Sequence, residues 1–68
     1  MIEQLEGTLH ELDRRINELR REIWMTKNGL TKSADPRADV DRLEEEFGQL
    51  GDRFVETYRE WSRQHAAE

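Results

Sequence analysis

The chain has 68 residues, no cysteine, 40% charged residues and a formal net charge of −5. That length allows one small domain, whose core would rarely supply more than roughly 3–5 kcal/mol unless self-association adds to it. The acidic balance works against binding nucleic-acid backbones, which needs a basic face, because Arg14, Arg15, Arg20 and Arg21 are interleaved with Glu11, Asp13, Glu18 and Glu22.

The first residues, Met-Ile-Glu-Gln-Leu-Glu, lack the basic start and apolar core of a secretory signal. No apolar run approaches the roughly 18 residues of a membrane span. A cytoplasmic chain without membrane contact is therefore expected. From Ile2 the apolar residues fall at Leu5, Leu9, Leu12, Ile16, Leu19 and Ile23, with intervals alternating between 3 and 4. This is the a/d pattern of a coiled-coil seam, narrower than the stripe of a globular helix. Thr26 takes the next d position and Leu30 the following a. The spacing predicts a first helix over about 2–28.

The turn, 29–35, carries its own punctuation. Glycine tolerates the left-handed conformation that ends many helices, so Asn28-Gly29 reads as a stop. Asp35-Pro36 reads as a start: a carboxylate for the free amides of a first turn, then a residue that needs no amide donor there. The second segment repeats the seam at Val40, Leu43, Phe47, Leu50, Phe54, Thr57 and Trp61. It predicts a helix over about 36–64, with fraying from about Arg63. Nothing alternates with a period of two, so no strand is expected.

The link between the seams is too short to carry a helix of about 40 Å back for parallel pairing. The fold class read from the chain is all-α: an antiparallel two-helix hairpin of the coiled-coil type, spanning 1–68 and dimerising into a four-helix bundle. Antiparallel packing sets a against d. The layers expected are Leu30–Leu43, Thr26–Phe47, Ile23–Leu50, Leu19–Phe54, Ile16–Thr57 and Leu12–Trp61. The flanks favour this register by pairing Glu22 with Arg53, Arg15 with Glu60, Lys27 with Glu44 and Glu6 with His65. A shift of one heptad would set Arg15 against Arg53 and Glu22 against Glu46.

Apolar residues outside the seam mark a surface. Trp24, Met25, Val55 and Tyr58 have no place in an intramolecular a/d core. Gly48 and Gly51 each cost about 1 kcal/mol inside a helix, which suggests close approach by another surface. In the expected register they lie level with Trp24. These six residues form the candidate partner-binding flank, for a second copy of the chain and for another protein. Glu6, His10 and His65 could meet at the open end, but surface histidines are the simpler reading, and no metal or cofactor is expected. Asp35, Asp39 and Asp41 sit where a helix dipole favours acids. The chain lacks a phosphate loop and a nucleophile–base set, so a non-enzymatic adaptor or regulator acting by helix packing is expected.

One resemblance supplies a different class of function. Ile16-x-x-Leu19-Arg20-x-x-Ile23, Gly29-Leu30-Thr31 and Val40-Asp41-x-Leu43-x-x-x-Phe47 together resemble the small sporulation-regulator hairpins. That resemblance implies a phosphatase acting on the aspartyl phosphate of response regulators. Asp41 would match the Asp of the family's Ser-Gln-Glu-Leu-Asp signature. Here the stretch is Arg37-Ala38-Asp39-Val40-Asp41, without the Ser and Gln and with Val for Leu, and the turn is shorter.

Overall fold

The structure, a computed structural model, describes residues 2–67; Met1 and Glu68, the ends of the expected domain, lie outside the described residues. Two helices, α1 (Ile2–Lys27) and α2 (Pro36–Ala67), pack against each other as a hairpin. No strand occurs among the described residues.

Both helix ends at the turn are closed by local chemistry. Gly29 has φ of 70°, the left-handed conformation that admits two reversed bonds. The Leu30 amide donates to the Met25 carbonyl at 2.9 Å and the Gly29 amide to the Thr26 carbonyl at 3.2 Å. Asn28 adds its side-chain amide, donated to the Trp24 carbonyl at 2.7 Å. At the start of α2 the Asp35 carboxylate accepts from the Ala38 amide at 3.2 Å. Its carbonyl accepts from the Asp39 amide at 3.1 Å, and Pro36 takes the first helical position. The Ser33 hydroxyl donates to the Asp39 carboxylate and so fastens the loop to the first turn of α2.

The far end of α2 continues past residue 64 to Ala67, where the lack of seam residues suggests fraying. Side chains there brace one another. Gln64 donates to Glu60 at 3.0 Å, Arg63 pairs with the same carboxylate, and His65 stacks on Trp61 with ring centroids 4.8 Å apart.

The seam buries Leu12, Leu19, Val40 and Leu43 together with Thr26, and Leu19 has 0% exposure. The buried Thr26 hydroxyl accepts from Thr31 of the loop at 3.3 Å. Ile16, Ile23, Phe47, Leu50 and Phe54 are only half-buried. The hairpin is a rod of 50 × 15 × 13 Å, which leaves most seam residues near its surface.

The pairing of the helices differs from the expected register by one heptad. Thr26 shares a cleft with Val40, and Leu9 shares a groove with Phe54, Tyr58 and Trp61. The Trp61 indole donates to Glu6 at 3.1 Å. These contacts set the layers as Thr26–Val40, Ile23–Leu43, Leu19–Phe47, Ile16–Leu50 and Leu12–Phe54. The Leu30–Leu43 layer does not form: α1 stops before Leu30, which is 59% exposed. Of the expected flank pairs, Lys27–Glu44 is present at 3.3 Å. Arg15 turns instead to Glu46 at 3.1 Å and Glu22 at 3.8 Å. Its guanidinium therefore lies between the two acids whose repulsion counted against this register. Glu60 turns to Arg63 and Glu6 to Trp61.

Candidate functional site

Five of the six residues of the expected flank, Trp24, Gly48, Gly51, Val55 and Tyr58, lie on the side of the rod formed by the b and e positions of both helices. Met25 holds a c position, which the 100° step per residue turns toward the opposite flank. Trp24 stands on the last turns of α1 and is 59% exposed; Met25, next in sequence but off this flank, is half-buried. On α2 the spacing of Gly48, Gly51, Val55 and Tyr58 forms one stripe, because steps of three and four return to the same helix face. Val55 is 47% exposed and Tyr58 51%, and with Phe54 and Arg59 they line a shallow cleft of about 380 Å³.

The register separates what the sequence placed side by side. Gly48 and Gly51 lie level with the middle of α1, about one heptad, or roughly 10 Å, from Trp24. The indole therefore does not stand over a glycine slot of its own hairpin. A methyl group built at either glycine would meet nothing within 4 Å. Packing inside one chain gives no reason for glycine at these two positions.

A second concavity on this flank is one the sequence did not single out. A groove of about 330 Å³ near the open end is walled by Leu9, Phe54, Tyr58 and Trp61, with Glu6, His10 and Asp13 on its rim. Its lining is mostly apolar side chain. Leu9, Phe54 and Trp61 hold a positions and read as seam. Only the register shows that two helices alone leave them accessible.

Glu6 and His65 at the open end both contact Trp61. Trp61 lies between Glu6, which accepts its indole proton, and His65, which stacks on it at an interplanar angle of 9°. Among the described residues no three carboxylate, imidazole or thiol side chains gather in a way that could hold a metal ion. On the opposite flank Glu46, and next Glu18, raise the pKa of Arg15 by accepting its guanidinium protons. Asp41 is exposed at the turn end, in a cleft of about 270 Å³ that includes Lys27 and Arg37. No helix among the described residues is long and apolar enough to cross a membrane. Compared with known proteins, the chain matches no family model, and neither a curated protein nor a solved structure is significantly similar to it.

Proposed function

We propose that the chain is a non-enzymatic interaction module of the cytoplasm, an adaptor or regulator that acts by helix packing and dimerises into a four-helix bundle. The observation that carries this reading is the mismatch between core and surface. Four apolar side chains are buried while Trp24, Val55 and Tyr58 stay about half exposed or more on one flank. Two helices with so little covered seam are marginal in water, and a second helical surface on that flank would add the missing burial. Sedimentation equilibrium at micromolar concentration should give twice the 8.2 kDa chain mass. A fully helical monomer at high concentration overturns the dimer.

A second reading follows from Asp41. An exposed carboxylate beside Lys27 and Arg37 resembles a place where a phosphoryl group could be held and attacked by water. In that case Asp41→Asn abolishes phosphate release from an aspartyl-phosphorylated receiver domain while binding stays intact. Unchanged release by the variant removes the phosphatase reading and leaves the adaptor.

A further inference from the structure

Resting on the dimer reading, we propose its geometry: two hairpins pack flank to flank with their turns at opposite ends, each inserting Trp24 into the apolar groove of the other. The argument begins with spacing. His10, Asn17 and Trp24 occupy successive b positions of α1, so the groove at His10 and the indole at Trp24 lie about 21 Å apart on one face. Asn17 is midway between them. A two-fold axis through Asn17, perpendicular to the helices, exchanges the two ends of the rod. It brings each indole onto the other copy's groove.

Charge follows the same symmetry. On the neighbouring e positions Glu6 and Asp13 lie on the open side of that axis and Arg20 and Lys27 on the turn side. The axis sets Asp13 against Arg20 of the second copy and Glu6 against Lys27. Neither Asp13 nor Arg20 makes an ion pair among the described residues of the single hairpin. The acids of α2 at the turn end, Asp41 and Glu44, fall opposite Tyr58 and Val55, so no like charges meet at the b and e positions. Opposite charges across such an interface select orientation.

The glycines complete the pattern. Asn17 of α1 is level with the gap between Gly48 and Gly51 of α2, so the same axis passes between them. Gly48 of one copy then faces Gly51 of the other, where the absence of side chains lets the two α2 backbones approach. With the turns at the same end, Trp24 would instead meet Asp41 and Arg42. One 50 × 15 Å side of the rod offers roughly 750 Å² per copy, close to the roughly 800 Å² per partner of a standard interface.

The chain has no cysteine, so Asn17→Cys supplies one thiol per protomer. Mild oxidation of that variant should give a disulfide-linked dimer in high yield. With the turns together, the two α1 helices would lie diagonally across the bundle, beyond the roughly 7 Å Cα separation a disulfide spans. Trp24→Ala should weaken dimerisation by about tenfold or more, as loss of a buried aromatic anchor does. The double variant Gly48→Ala/Gly51→Ala should weaken it too, while raising the helicity of the dilute monomer. A dimer that persists with Trp24→Ala unchanged, or that yields no cross-link, overturns this geometry and leaves the dimer reading standing. A wild-type monomer at high concentration overturns both.

Discussion

Leu19 has no accessible surface and sits at the middle of α1, so it is the side chain the hairpin can least lose. Truncating such a leucine costs about 2–5 kcal/mol, against a total near roughly 3–5 kcal/mol for a core of this size. Leu19→Ala should therefore abolish the helical circular dichroism signal at room temperature. Persistence of a cooperative melt would mean the core is shared more widely than the burial of Leu12, Leu19, Val40 and Leu43 indicates. The exposed residues of the flank were legible one at a time. Trp24, Val55 and Tyr58 fall outside a and d positions, and an a/d seam covers nothing else. The accessibility of Phe54 and Leu9 was not legible, because it depends on how far two helices alone can close around an a position.

At the scale of elements, the turn was legible and the register was not. Caps are local: the conformation of Gly29 and the Asp35 carboxylate follow from residues within a few positions of them. Gly29→Ala forces a methyl group into the left-handed region, at about 1–2 kcal/mol, and Asp35→Ala removes the first-turn acceptor, at about 1 kcal/mol. Each should shift a urea unfolding curve by that amount with the slope unchanged. No measurable shift for Gly29→Ala would mean that α1 can end by another route. Register is different, because sliding one helix by seven residues maps every a and d position onto another. Flank charges then cast the vote, and exposed pairs contribute too little to decide it. Arg15 shows why. Bonded to Glu18 and Glu46 and close to Glu22, it offsets the repulsion between Glu22 and Glu46 that counted against the observed pairing. Thr26 helps as well, since Thr31 supplies a partner for its hydroxyl in the layer nearest the loop.

For the whole molecule, the governing quantity is the ratio of surface to seam. A rod 13–15 Å across cannot fully enclose residues as large as Phe47, Phe54 and Trp61, and all three stay only partly buried. The flank that a second copy would cover was thus marked in the sequence by its residues. Its division into an indole at one end and a groove at the other emerged only from the pairing of the helices.

The capped loop also orders events in time. Thr26 and Val40 are separated by little more than the loop, whereas Glu6 and Trp61 meet across 55 residues. Closing a longer loop costs more chain entropy, by about 0.6 kcal/mol per doubling of length. Folding should therefore start beside Gly29 and zip toward the open end, and local opening should run the other way. Native-state hydrogen exchange on dilute protein should find the slowest amides around Leu19–Ile23 and Leu43–Phe47 and the fastest around Leu5 and Trp61. Uniform protection along both helices would show instead that the hairpin opens only as a single unit.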